Sequence, residues 1–183
     1  MKFELPHTIE NVLGEKLTFK SIVKEPDGDR VLVEACVQPG AGPAMHVHYQ
    51  QDEGFTVAKG RLGYQFQGEE PQYAGPGESV IFERGKPHRF WNAGEEALHC
   101  EGWLKPANTI VFFLSALYDA QNKSGKGEPE PFDGAYLLTR YRSEYGMPEI
   151  PGFVRNFIIP TTYLIGKLTG RYRKFTGAPE PVR

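Results

Sequence analysis

The sequence predicts an all-β core, built as an antiparallel sandwich or small barrel, followed by a helical C-terminal extension. Over roughly the first hundred residues, short runs of β-forming side chains alternate with turns that contain Gly and Pro. After Lys105-Pro106 the apolar residues instead recur with helical periodicity. We therefore expect a β domain over residues 1–106 and a helical extension over residues 107–183, in a chain long enough for a real core.

The strands are predicted from runs of β-forming residues that are bounded by turn signals. The turn Pro26-Asp27-Gly28-Asp29, for example, separates the first two runs. The predicted strands are Leu17–Val23, Arg30–Val37, Glu53–Lys59, Arg61–Phe66, Glu78–Phe82, Pro87–Asn92 and Ala97–Leu104. Short strands of this kind are typical of an antiparallel sandwich or barrel.

Two helices are predicted in the first part of the extension. Asn108 can cap a helix that runs through Tyr118 to about Asn122. A linker rich in Gly, Pro and charge follows, and Asp133 can then cap a second helix that ends near Gly146.

A third helix is predicted beyond Pro151, and Pro160 should kink or divide it. Its apolar side chains fall on one side of a helical wheel: Phe153, Val154, Phe157, Ile158, Leu164, Ile165 and Leu168. Basic residues lie at or beyond its end: Lys167, Arg171, Arg173 and Lys174. The stretch is short for a membrane span and contains Arg155 and Asn156. We expect it to pack on the barrel or across a dimer interface, with peripheral membrane contact as the alternative.

Three of the five histidines form a candidate metal site with one glutamate. In a strand, the side chains of His46 and His48 point to the same face and can share one cation. Glu53 returns after a turn and can add a carboxylate, with Asp52 as its competitor, and His88 lies forty residues downstream of His48. Imidazole nitrogens with one carboxylate oxygen suit a divalent transition metal (Fe, Mn, Ni, Cu or Zn) rather than Ca.

The spacing of glycines around these residues resembles the first motif of the cupin superfamily, G-x5-H-x-H-x(3,4)-E-x6-G. Gly40, His46, His48, Glu53 and Gly60 match it in full. Two spaced motifs together are a stronger signal than either alone.

The second cupin motif, G-x5-P-x-G-x2-H-x3-N, is matched by Gly77, Gly85, His88 and Asn92. The one departure is Glu83, where the family usually has proline, and it bears on the turn before His88 because proline would fix φ there. The resemblance covers roughly Val37 to Leu104.

The resemblance implies a small β-barrel, the cupin double-stranded β-helix, with a metal inside it near one mouth. It also implies that the metal ligands are His46, His48, Glu53 and His88. Three histidines and one glutamate further resemble the metal-binding set of cupin dioxygenases of the quercetinase kind, in which a substrate oxygen binds the metal and the glutamate can serve as base.

Strand alternation predicts the lining of the substrate pocket. Phe55 and Val57 share the face of Glu53, while Phe90 and Asn92 share the face of His88. Such a pocket is largely apolar with few polar groups, which favours a small, partly aromatic or hydrophobic substrate over a free sugar.

Composition excludes some classes of function. The net charge of −2 and the lack of a basic, aromatic-interleaved stripe in the central part of the chain argue against nucleic-acid binding. No apolar run that could serve as a signal peptide occurs in Met1–Pro6, so a cytoplasmic protein is the default. Cys36 and Cys100 form no CxxC motif and are expected to be reduced thiols in strands. We also expect a homodimer.

The leading functional hypothesis is a metal-dependent oxidoreductase, a dioxygenase acting on a small molecule, in which Glu53 can double as general base. A metal-dependent isomerase or decarboxylase would use the same fold and ligands. A non-catalytic protein that holds a small molecule in the same cavity is the third alternative.

Overall fold

The computed structural model describes residues 3–183 and confirms a β core followed by helices. The stretch Met1–Pro6 was predicted to hold no signal peptide. Its first two residues, Met1 and Lys2, lie outside the described residues. The strands are β1 (His7–Glu10), β2 (Glu15–Val23), β3 (Arg30–Val37), β4 (Val47–His48), β5 (Asp52–Lys59), β6 (Leu62–Phe66), β7 (Gln72–Ala74), β8 (Ser79–Phe82), β9 (His88–Asn92), β10 (Leu98–Lys105) and β11 (Tyr145–Gly146).

All the predicted strands are confirmed, each within two residues of the observed bounds. The sequence did not reveal β1, β7 and β11, which have four residues or fewer, and it placed His46 and His48 in a strand without giving bounds for β4. Strands this short show little alternation, although β8, which also has four residues, was predicted.

The strands form antiparallel sheets that enclose the core. One sheet has six strands in the order β1-β2-β3-β10-β5-β8, another has three in the order β7-β6-β9, and β11 pairs with β4. Inward side chains from both larger sheets are almost wholly buried, including Phe19, Leu62, Phe82 and Leu98. Burying each such side chain contributes roughly 1.5–3 kcal/mol before entropy is counted.

The extension contains three α-helices: α1 (Ile110–Ser124), α2 (Pro131–Arg140) and α3 (Ile159–Leu168). The predicted start of α1 is wrong by one residue, because Thr109 is the N-cap and Asn108 has a left-handed φ of 39°. The predicted start and end of α2 are also wrong. Pro131 is its first residue, a position that suits proline, and the Glu130 side chain accepts a hydrogen bond from the Asp133 amide.

A π-helical turn, Val154–Ile158, precedes α3, and a 3₁₀ helix, Arg171–Phe175, follows it. Pro160 stands in the first turn of α3, so the irregularity lies where proline was expected to disturb the helix. Proline lacks an N–H and its ring clashes with the carbonyl four residues earlier, which the wider π turn accommodates.

The prediction that the apolar stripe of the third helix packs on the barrel is wrong, whereas packing across a dimer interface stays a prediction. Phe157 is 61% exposed and Leu164 is 55% exposed. The helix instead packs on α2 through its other side, where Tyr163 lies 6.3 Å from the ring of Tyr136.

Helix α1 is joined to the β core by buried hydrogen bonds. The Asn11 amide donates to Gln121 at 3.0 Å, and the Tyr118 hydroxyl donates to Glu15 at 3.2 Å. The change from strands to helices thus falls where the sequence predicts it, between Lys105 and Ile110. The division into two domains at that point stays a prediction.

Candidate metal centre

The four predicted ligands come from three separate segments that meet between the sheets. His46 and His48 belong to the segment around β4, Glu53 is on β5 and His88 begins β9. The backbones of His46 and His88 exchange two hydrogen bonds of 2.9 and 2.8 Å. One nitrogen or oxygen donor from each of the four side chains lies within 4.8 Å of the others.

The turn before His88 is held without the proline that the family usually has. Gly85 adopts a φ of 78° and donates its amide to the His48 carbonyl at 2.8 Å, which ties the turn to β4. The Lys86 amide also donates to the Glu83 carbonyl at 3.2 Å. Glu83 therefore leaves this turn intact.

Asp52, the competing carboxylate, points away from the cluster. Its Oδ1 accepts hydrogen bonds from the Arg84 amide at 2.8 Å and from Arg84 Nε at 3.0 Å. The alternation of side chains along β5 places Glu53 inside and Asp52 outside.

Backbone carbonyls fix the orientation of two imidazoles. Nδ1 of His46 lies 2.8 Å from the Ala44 oxygen, and Nδ1 of His88 lies 2.9 Å from the Lys86 oxygen. Because a carbonyl only accepts, each Nδ1 must carry the proton and donate it. These hydrogen bonds direct the Nε2 atoms of both rings towards the cluster.

The donor set fits a transition metal. Nε2 of His88 lies 3.1 Å from Oε2 of Glu53, and both are acceptors when Nδ1 holds the imidazole proton, so a proton or a metal ion is needed between them. Nδ1 of His48 is buried and has no hydrogen-bond partner among the described residues. Three imidazoles and one carboxylate with such unsatisfied lone pairs are the chemistry of a divalent transition-metal site.

The pKa values keep these donors in their ligating forms. Burial, followed by the charges of His48 and His88, lowers the pKa of His46 to about 3. Burial also lowers the pKa of His48. Burial alone would raise the pKa of Glu53, but the contact with His88 and the neighbouring imidazole charges outweigh it, and the pKa is about 2. His46 and His48 are therefore neutral and Glu53 is ionised near pH 7, as a metal requires.

Aromatic rings border the cluster on one side. Phe55 and Phe90, both predicted pocket residues, are buried with ring centroids 5.0 Å apart, and Val57 is buried further along β5. Phe82 stacks on His88 at 4.2 Å and was not recognised from the sequence. Its position at the end of the alternating strand β8 is the signal that could have found it.

Asn92 has a structural role that differs from the predicted one. Its amide nitrogen donates to the carbonyls of Val37 at 2.8 Å and Glu96 at 2.7 Å, and its oxygen accepts from the Gly94 amide. These contacts use both donors of the side chain. Asn92 thus fixes a turn, and its amide is not free to orient a ligand.

The helical extension also supports the metal-site strand, which the sequence did not predict. The Tyr145 ring meets His48 edge-on at 5.5 Å and stacks on Phe113 of α1 at 3.9 Å. Beside it, the carboxylate of Glu144, which is fully buried, accepts hydrogen bonds from Thr109 at 2.9 Å and from Gln51 at 3.2 Å.

The remaining histidines and the cysteines lie outside the cluster, as expected. His7 contacts Ser115 at 3.0 Å, and His99 lies 4.0 Å from the sulfur of Cys36. Cys36 and Cys100 are free thiols on β3 and β10.

Comparison with protein-family models finds a match in the β core. Residues 33–103 match the family model described as "Cupin domain". This chain carries a cupin domain. The match begins within β3 and ends within β10, so it contains all four clustered donors of the cupin domain.

A curated protein named "Oxidoreductase iacF", from Pestalotiopsis fici, is 37% identical over 100 residues. The matched part covers 50% of this chain and 49% of that protein. The chain thus spans about half the length of the curated relative.

Two solved structures are similar to the cupin domain. An uncharacterized conserved protein with a double-stranded beta-helix domain, from Klebsiella pneumoniae, is 27% identical, with 48% of this chain and 76% of that chain covered and a TM-score of 0.42. KdgF from Halomonas sp. is 19% identical, with 57% and 91% covered and a TM-score of 0.46.

Proposed function

We propose that this protein is a metal-dependent cupin oxidoreductase, a dioxygenase that acts on a small, partly apolar organic molecule. The observation that carries the proposal is the meeting of His46, His48, Glu53 and His88 within 4.8 Å beside buried aromatic rings. The name of the curated relative, an oxidoreductase, agrees with it.

The four side chains would hold Fe, Mn, Ni, Cu or Zn, since the same N/O set accepts each of these metals. A bound metal supplies a Lewis-acidic centre and, for the redox-active metals, electron transfer to dioxygen. The buried rings of Phe55, Phe82 and Phe90 would keep water away from this side of the cluster.

Glu53 is the candidate general base. It is ionised at neutral pH, and its Oε2 lies 3.1 Å from Nε2 of His88 within the cluster. A substrate hydroxyl that enters the cluster would meet this oxygen within hydrogen-bond reach and could transfer its proton to it.

Two alternatives use the same residues. An isomerase or decarboxylase would need the metal and the base but no dioxygen, and a binding protein would need only the pocket. The proposal also includes a cytoplasmic location, with which the two free thiols are consistent.

Oxygen consumption separates these functions. Protein loaded with Fe, Mn or Ni should consume dioxygen in proportion to the loss of one substrate from a panel of phenols and enols. His88→Ala, treated in the same way, should consume none. Product formed without oxygen uptake would favour an isomerase or decarboxylase, and heat of binding without turnover in a calorimeter would favour a binding protein.

A further inference from the structure

The C-terminal helix presents an apolar surface to solvent. Phe153, Phe157, Leu164 and Leu168 are 66, 61, 55 and 78% exposed. We call these four residues the apolar face, which Ile158 and Ile165 flank. Isolated exposed apolar residues are ordinary, but several exposed apolar side chains along one side of a helix indicate an interaction surface.

The direction of the apolar face is fixed by packing on the opposite side of the helix. Tyr163 stacks on Tyr172 at 5.3 Å, and a Cβ on Gly166 would lie 2.4 Å from the Tyr172 ring, so no larger residue fits there. Turning the helix to bury its apolar face would break this packing. The apolar face therefore needs a partner outside the chain.

The charge of the same segment identifies the kind of partner. Residues 151–183 hold six basic side chains and one acidic side chain, whereas residues 1–150 hold 15 basic and 22 acidic ones. Net charges of +5 and −7 follow. Lys167 and Arg173 lie beside Leu168, are exposed and form no ion pair within residues 3–183.

A second copy of the chain fits this surface poorly. In a two-fold dimer the apolar face would meet its own copy, and the two basic segments would lie side by side. An anionic lipid surface instead takes up apolar side chains and attracts the basic residues around them. None of the described helices is long and apolar enough to cross a bilayer.

We propose that the apolar face and the basic residues around it dock this protein on the surface of an anionic membrane. Phe153, Phe157, Leu164 and Leu168 enter the headgroup–acyl boundary, and Lys167 and Arg173, which lie beside Leu168, contact anionic headgroups. The acidic remainder of the chain is held away from the membrane by repulsion.

Co-sedimentation with vesicles tests this proposal on the full chain. Phosphatidylcholine vesicles with about 30% phosphatidylglycerol should bind the protein at low salt, pure phosphatidylcholine vesicles should bind it at least about tenfold less, and about 0.5 M NaCl should weaken the binding. The double variant Phe157→Ser/Leu164→Ser should lose binding at least about tenfold with an unchanged melting temperature, since both residues are exposed.

Ile81→Ser is the matched control, because Ile81 is an apolar residue that is 57% exposed on β8, away from the C-terminal segment. It should bind vesicles like the wild type. The absence of vesicle binding, or equal binding by the wild type and the double variant, would overturn the proposal. A dimer that the double variant converts to monomer, without lipid binding, would overturn it in favour of a second copy.

Discussion

At the scale of single residues, carbonyl neighbours hold two of the imidazoles, and burial keeps His46 and His48 neutral. Carbonyls of Ala44 and Lys86 hold the Nδ1 protons of His46 and His88, and burial keeps His46 neutral. Glu53 differs from the imidazoles because it can both bind a metal and accept a proton.

Glu53→Gln separates these two roles. The amide oxygen can still coordinate, so the variant should keep much of its metal, but an amide cannot accept a proton at neutral pH and turnover should fall by about 10²–10⁴-fold. Metal content and turnover are measured on the same preparation. Asp52→Asn is the control, since Asp52 faces Arg84 outside the cluster. Turnover that matches the wild type in Glu53→Gln would reduce Glu53 to a ligand.

At the scale of elements, the helical extension braces β4, the strand that carries the ligand His48. Strand β11 pairs with β4 so that Tyr145 lies opposite His48. The adjacent Glu144 carboxylate also accepts a 2.9 Å hydrogen bond from the Val182 amide, which ties the C-terminal tail to the same place.

Glu144→Ala should therefore weaken both the fold and the site. It removes the acceptor of hydrogen bonds from Thr109, Gln51 and the Val182 amide, which should lower the free energy of unfolding by about 2–4 kcal/mol. Urea unfolding measures the loss, and metal content should fall with it. Glu149→Ala, at an exposed glutamate nearby, should change neither. Equal unfolding midpoints in the two variants would contradict the bracing role.

The sequence could predict elements whose signal is local. The strands follow from alternation, and the His46–His48 pair follows from spacing alone. The contact of Tyr145 with His48 could not be predicted, because it joins residues far apart in the chain through a two-residue strand. The hydrogen-bond partners of the Asn92 amide depend on which carbonyls lie nearby, and motif spacing does not reveal these.

At the scale of the whole molecule, the cupin domain and the C-terminal segment differ in charge and in surface. Helical periodicity predicted the apolar stripe of the third helix correctly but could not say whether it faces the protein or the solvent. Packing by Tyr163 and Gly166 on the other side decides that question. The proposed activity depends on a metal bound in the cupin domain.

Elemental analysis of purified protein tests that central claim most directly. The wild type should hold about one transition-metal ion per chain, and His46→Ala, His48→Ala and His88→Ala should each lose most of it, because one missing ligand leaves an incomplete shell. His99→Ala, whose imidazole contacts Cys36 outside the cluster, should keep the metal. Stoichiometric metal in all three ligand variants would contradict the site.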